Sequence, residues 1–240
     1  MSAVLNTNVA SLWASKNLLG AQNKLAGSVE RLSSGLRINR ARDDAAGLGV
    51  ANSLTAQING ANQGVRNLND AISMVQTAEG AIAAASEMGQ RILMLATQGA
   101  NGTLGLDEKK AIQSEMVQLL SSIDSIGART KFSGNPLLSA TTNLTDTLYS
   151  MQISNVASDK VELKGTAFQN IGTAASSQAN TLNTKVTDLA VSDQTYTTAN
   201  FQAVQTAATN YVVALGTQRS LLGAYQNQME YTLSNITELS

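Results

Sequence analysis

Asp43 and Asp44 are adjacent carboxylates, and four arginines, Arg31, Arg37, Arg40 and Arg42, stand directly before them. Two carboxylates facing one reacting atom can divide general acid and base work between them. Consecutive helical residues, however, point about 100° apart, so these two diverge, while Arg40 and Arg42 lie within pairing reach. The chemistry that suits this layout is ion pairing, inside the chain or between chains. Ser33-Ser34-Gly35 interrupts a helical pattern ahead of the charges, and Ala45-Ala46-Gly47 resumes it behind them. Residues 31–47 therefore read as a charged hinge between two helices, where neighbouring copies of a subunit can dock.

Other candidate groups are weaker. Gly47-Leu48-Gly49 is a fragment of a dinucleotide-binding turn, but it follows Asp43-Asp44-Ala45-Ala46 instead of a strand, so a phosphate would meet carboxylates. Glu108, Lys109 and Lys110 cluster at a helix start, which a solvated face explains. Arg91 stands among Ile92, Leu93, Met94 and Leu95, and helix geometry puts Arg91 and Leu95 on one face. Two readings stand side by side there: an exposed Arg–Leu pair anchoring an interface, or an arginine stem laid over apolar surface.

The chain has neither histidine nor cysteine, which removes His-dependent triads, Cys–His dyads, disulfides and the usual zinc sites. An enzyme would have to work through Asp, Glu, Lys, Ser or Tyr alone. We read the chain as a non-enzyme with no cofactor and no metal. A net charge of −1 argues against a general nucleic-acid binder. Six basic side chains and one acid fall in residues 1–42, but no aromatic residues interleave them in the manner of a nucleic-acid module. No run approaches the roughly 20 apolar residues that span a bilayer, so no membrane insertion is expected. Asn6, Thr7, Asn8 and Ser11 interrupt what would be the apolar core of a cleavable secretion signal. The protein is expected to be cytoplasmic, or to leave the cell by a route that reads no such signal.

The elements that must carry these residues are mostly helices. Aromatics make up only 4% of a chain that is 43% hydrophobic, and Pro136 is its one proline, which leaves long stretches free to be helical. Leu5, Leu12 and Leu19 recur every seven residues, with Leu18, Leu25 and Leu32 in parallel, predicting a helix over about 4–32. Leu54, Ile58, Ala61, Val65, Leu68, Ile72, Val75 and Ile82 follow four- and three-residue spacing, a coiled-coil seam that continues through Ile92 and Leu95 and stops near Gly99, Asn101 and Gly102. A third helix follows Leu106-Asp107-Glu108 with the stripe Ile112, Met116, Leu119, Ile123, Ile126. Ser133-Gly134-Asn135-Pro136 signals a turn, and the alternating runs 148–153 and 160–164 predict a β-hairpin. Residues 172–200 read as loop with short strand or helix. The last helix carries Val204, Ala208, Tyr211, Leu215, Gln218, Leu222, Tyr225, Met229, Thr232, Ile236 and Leu239. The expected fold is mainly α: an elongated antiparallel helical bundle or coiled coil with a small β-hairpin region over about 132–200.

Several motifs resemble the bacterial flagellins, the subunits of the flagellar filament. The specific ones are Glu30-Arg31-Leu32-Ser33-Ser34-Gly35-Leu36-Arg37-Ile38-Asn39 and Asp43-Asp44-Ala45-Ala46-Gly47-Leu48. Leu5-Asn6-Thr7-Asn8 looks like the family's opening, and Arg219-Ser220-Leu221-Leu222-Gly223-Ala224-Tyr225-Gln226-Asn227 resembles its carboxy-terminal region. Weaker echoes are Asn69-Asp70-Ala71-Ile72-Ser73, Gln90-Arg91, Ile112-Gln113-Ser114-Glu115 and Phe132-Ser133-Gly134.

The resemblance implies a structural subunit that polymerises into the filament for motility. Residues 1–40 would form an amino-terminal inner-core helix and hinge, and residues 41–240 an outer-core rod domain lacking the family's variable outer domains. Leu5, Leu12, Leu19, Arg31, Arg37, Arg40, Asp43 and Asp44 would make inter-subunit contacts. The implied partners are other copies of the chain and the flagellar export apparatus, with an extracellular location reached without a cleavable signal peptide. Arg91, Leu95 and Glu115 match positions read by the host receptor, Toll-like receptor 5, while Leu93 and Met94 replace charged residues. The family normally continues past the point matching Ser240 with a helix that pairs with the amino-terminal one. The expectation is therefore a truncated version, or one that does not polymerise in the usual way, with the Leu5, Leu12, Leu19 stripe disordered or satisfied by other subunits. The alternatives are a hook–filament junction protein, which usually carries proline after the acidic pair, and a flagellin-like surface protein that binds polysaccharide.

Overall fold

A computed structural model describes residues 8–138, 147–172, 178–189 and 196–239. Among them run five α-helices, α1 (Val9–Ser34), α2 (Ala45–Gly99), α3 (Leu106–Arg129), α4 (Gln178–Asp188) and α5 (Thr198–Leu239). Two antiparallel strand pairs accompany them, β1 (Lys131–Phe132) with β2 (Asn135–Pro136) and β3 (Thr147–Gln152) with β4 (Lys160–Lys164). The chain divides into two compact units, Met1–Gln57 and Ile58–Ser240.

In the first unit, α1 starts where the Asn8 side chain accepts a hydrogen bond from the Ser11 N–H at 3.1 Å. It ends at Gly35, whose left-handed backbone (φ 70°) lets its N–H reach the Arg31 carbonyl. None of its 26 residues is buried.

The second unit holds the core. Its expected stripes are the buried ones: Leu68, Val75, Ile82, Ile92 and Leu95 on α2, Ile112, Met116 and Ile123 on α3, and Val204, Ala208, Tyr211, Leu215, Leu222 and Met229 on α5. Leu239's side chain lies outside what is described. Paired contacts run in opposite senses along α2 and α5: Gly99 meets Phe201, Thr97 meets Gln205, Gly89 meets Tyr211 and Glu79 meets Arg219. The two helices are thus antiparallel, with aromatic rings of α5 seated over glycines of α2. Leu54 and Ile58, the first seam positions, remain 52% and 42% exposed. Cover on α2 begins just beyond them, where Gly60 and Gly64 meet Asn155 and Ile153.

The predicted hairpin is present, with Tyr149 opposite Leu163 and Met151 opposite Val161. Alternation places Val161 and Leu163 inward. Asn67 of α2 donates to the Gln152 carbonyl at 2.8 Å, tying the hairpin to the helix. Tyr149 packs edge-on against Phe168, with ring centroids 5.6 Å apart. The expected turn at Ser133-Gly134 closes the smaller pair, both residues having positive φ. Within the Thr- and Asn-rich stretch 172–200, α4 buries Ala179, Leu182 and Val186. Eleven polar-rich residues show too little periodicity for the sequence alone to place that helix; residues 173–177 and 190–195 lie outside the described part.

Two polar residues of α3 are buried, one of them expected at the surface. Lys109 keeps only 9% of its surface and donates from Nζ to the Tyr196 carbonyl at 3.3 Å, so the solvated-cluster reading fails for it. It falls in register with Ile112 and Met116, and that spacing puts it on the inward face. Gln113, next to the stripe, donates to the Val186 carbonyl of α4.

Tyr211 is the one deeply buried phenol of α5, and its hydroxyl donates to the Ile171 carbonyl at 2.8 Å. Burial, with the Asp124 carboxylate adding to it, pushes its pKa well above that of a free tyrosine. The folded pKa exceeds the unfolded one, so this contribution to stability is complete below about pH 10 and is lost as pH rises beyond it. Tyr211→Phe should cost about 1 kcal/mol at neutral pH through the lost hydrogen bond. Denaturant titrations across the alkaline range should then show the two proteins converging, because only the wild type has this phenol to ionise.

Candidate assembly surface

The arginine–aspartate segment folds as a closed hinge within the first unit. Asn39 ties it back to the end of α1 by donating from Nδ2 to the Ser34 hydroxyl at 2.7 Å. The Ser34 hydroxyl also accepts from the Leu36 N–H. One Asp43 carboxylate oxygen accepts from the backbone N–H of Asn39 and of Arg40, at 3.3 and 3.1 Å. Asp44 caps α2, accepting from the Gly47 N–H at 2.8 Å. A Cβ on Gly47 would press on the other Asp44 oxygen and on the Ile38 side chain, so glycine there leaves room for this cap geometry.

The arginines take different partners from those expected. Arg40 pairs with Glu30 of α1 at 2.8 Å, while the two aspartates bind backbone N–H groups. Turn capping outcompetes ion pairing because the N–H groups at a helix start have no partner of their own. Glu30 and Asn39 hold the hinge together, roles the sequence reading did not assign; an Asn five residues after a Ser in a helix-breaking segment is the signal that could have found Asn39. Arg31 sits in the last turn of α1, where the helix dipole favours a cation. With Arg37 it lines an open groove that includes Leu32 and Leu36. Arg42 is exposed.

α1 itself presents Leu12 (59% exposed), Leu19 (61%), Leu25 (66%) and Leu32 (86%) to solvent. Trp13 and Leu18 extend the same exposed apolar surface. Leu5 lies outside the described residues. Among the described residues nothing buries this apolar surface, the kind of patch that marks interaction sites in general.

In the second unit, Arg91 of α2 holds Glu115 of α3, its Nε and Nη2 lying 2.9 and 2.7 Å from one carboxylate oxygen. Leu95 is not part of an exposed pair with Arg91. It is 2% exposed and packs in the core, because it continues the inward stripe through Ile92 and Gly99 while Arg91 faces outward. Met94 is the exposed apolar neighbour. Arg91→Ala should change stability by less than about 1 kcal/mol, since an exposed pair gains little over its hydrated state. In a polymerisation assay Arg91→Ala should behave as the parent chain does, and a difference from the parent would place Arg91 in a contact between copies.

Among the described residues no three His, Cys, Asp or Glu side chains gather in a way that could hold a metal. No helix among them is long and apolar enough to cross a membrane. The geometry defines a helical-bundle protein, with heptad seams, a capped hinge and a helix whose apolar residues are exposed. A family model described as the bacterial flagellin N-terminal helical region matches residues 5–143, more than half of the chain. The chain belongs to the bacterial flagellin family. It is 46% identical over 145 residues to flagellins of Salmonella muenchen and Serratia marcescens, covering 60% of this chain. Those residues span only 29% and 41% of the two relatives. Among solved structures, a Bacillus cereus flagellin aligns with a TM-score of 0.55 at 24% identity, over 71% of this chain and 88% of that one. A Vibrio parahaemolyticus protein described as flagellar hook-associated aligns with a TM-score of 0.66 at 14% identity, over 83% and 95%. At these identities the two structures speak to the fold, and both support the helical architecture.

Proposed function

We propose that this chain is a structural subunit that polymerises with copies of itself into the bacterial flagellar filament, for motility. The observation that carries this reading is α1, which leaves every one of its residues unburied while carrying an apolar stripe. Burying a leucine contributes about 1.5–3 kcal/mol, so a row of them is a strong drive to associate. Residues 1–40 act as the inner helix and hinge, and residues 41–240 as the outer rod. Leu5, Leu12 and Leu19 meet neighbouring subunits. Arg31, Arg37 and Arg40 supply charge at that contact, and Asp43 and Asp44 hold the hinge that positions it.

The subunit leaves the cell through the flagellar export apparatus and lies outside it in the filament. Where a host is present, Arg91 and Glu115 form the centre of a patch for Toll-like receptor 5, with Leu95 supporting it from the core. The test is electron microscopy of the purified chain after incubation with filament seeds. Seed elongation by this chain, or by a version extended at its carboxy end, supports the reading. Failure of both overturns it in favour of a junction or surface-binding role.

A further inference from the structure

We propose that Asn101 is a site of spontaneous chemical modification, converting to aspartate and isoaspartate through a cyclic imide. The chain contains two Asn–Gly steps, Asn59-Gly60 and Asn101-Gly102. The reaction needs the glycine nitrogen to approach the asparagine side-chain carbon, which requires a backbone free to rotate and an uncommitted N–H. The two steps differ in how firmly the glycine and its N–H are held.

Asn59-Gly60 lies inside α2, where helical φ and ψ are set and each N–H is held by the carbonyl four residues before it. Gly60 is also pressed against the hairpin, the backbone nitrogen of Asn155 lying 2.8 Å from where its Cβ would be. Asn101-Gly102 lies beyond the end of α2, in the exposed turn before α3. The surroundings of Gly102 are open, with no atom within 4 Å of a Cβ built there. Asn101's own N–H is held by the Gln98 carbonyl and its carbonyl by the Leu104 N–H. Its side-chain oxygen accepts from the Thr103 N–H at 3.1 Å. That bond folds the side chain forward over the Gly102 peptide and places a donor where negative charge develops on the oxygen.

The chemistry balances with water as the only co-reactant. The Gly102 nitrogen loses its proton and bonds to Cγ of Asn101, and the side-chain nitrogen takes up a proton and leaves as ammonia. Water then opens the ring at either carbonyl, giving aspartate or isoaspartate. The product adds one negative charge just past the carboxy end of α2, where the helix dipole disfavours anions. The isoaspartate form also lengthens the backbone of the α2–α3 corner. The site marks the age of a subunit and is independent of whether the chain polymerises.

The test is incubation of the folded chain at mildly alkaline pH, followed by tryptic digestion and mass spectrometry. The two steps fall on different peptides, Asp43–Arg66 and Ile92–Lys109. The second should gain the mass of an amide-to-acid exchange and become a substrate for an isoaspartyl methyltransferase. The first should stay unchanged in the folded protein, yet convert when the chain is unfolded in urea. Gly102→Ala, which the open turn accommodates, should slow conversion several-fold. Equal conversion of both peptides in the folded chain would overturn the proposal. So would an unmodified Ile92–Lys109 peptide under conditions where the unfolded chain converts.

Discussion

Gly64→Ala is expected to destabilise the second unit by about 3 kcal/mol, at the upper end of what overpacking usually costs. Helix propensity alone predicts the opposite sign, since alanine is better than glycine inside a helix by about 1 kcal/mol. The reason for the reversal is contact with main chain. A Cβ on Gly64 would lie 1.8 Å from the Ile153 carbonyl oxygen and 2.6 Å from its carbon. Main chain cannot swing aside as a side chain does, so the hairpin must lift from α2. Lifting also strains the Asn67 bond to the Gln152 carbonyl and uncovers Ile153. Gly80→Ala is the control on the same helix: nothing lies within 4 Å of its added Cβ, and it should stabilise slightly. Urea midpoints of the two variants should move in opposite directions. A neutral or stabilising Gly64→Ala would mean that the hairpin does not sit on α2 in this way.

Leu12→Asp and Leu19→Asp should each abolish filament growth while leaving residues 58–240 folded. Both leucines are solvent-exposed in the isolated chain, at 59% and 61%, so neither contributes to its core. In a polymer the same positions would be covered by other copies. Aspartate there loses the leucine's burial, about 1.5–3 kcal/mol, and adds an ionised carboxylate that must be desolvated. The penalty recurs at every subunit. Sedimentation after seeding should show no polymer, with circular dichroism and urea midpoints equal to the parent's. Polymer at the parent's yield would remove α1 from the contact surface.

The two outcomes separate what each part of the chain does. Gly64 acts on the fold of the rod through a contact within the chain. Leu12 and Leu19 lie exposed and outside the core of the described residues. Arg91 stands between these cases, its carboxylate partner found on α3 but its exposed face free for another molecule.

Long helices were legible in the sequence because heptad spacing survives over many turns, and chance rarely sustains it. The stripe from Val204 to Met229 is buried nearly residue for residue, and the 148–164 hairpin follows from its alternation. The hinge was legible as a helix break, since Ser33-Ser34-Gly35 carries its own turn chemistry, but the capping roles of Asp43 and Asp44 were read as ion pairing. Periodicity says which face turns inward, but not where the cover begins. Leu54 and Ile58 keep the seam's spacing and remain exposed, while Leu95 beside Arg91 is buried. Partner choice was likewise decided in three dimensions. Arg40 met Glu30 ten residues back, Lys109 met a carbonyl 87 residues away, and Arg91 met Glu115 on the next helix. The sequence by itself determined the four long helices, the hairpin and the helix break at the hinge, because each depends on interactions among near neighbours in the chain. The short α4 was not legible there. Only the tertiary structure decided which apolar faces are covered and which charges pair, because those depend on distances between elements that no local pattern encodes.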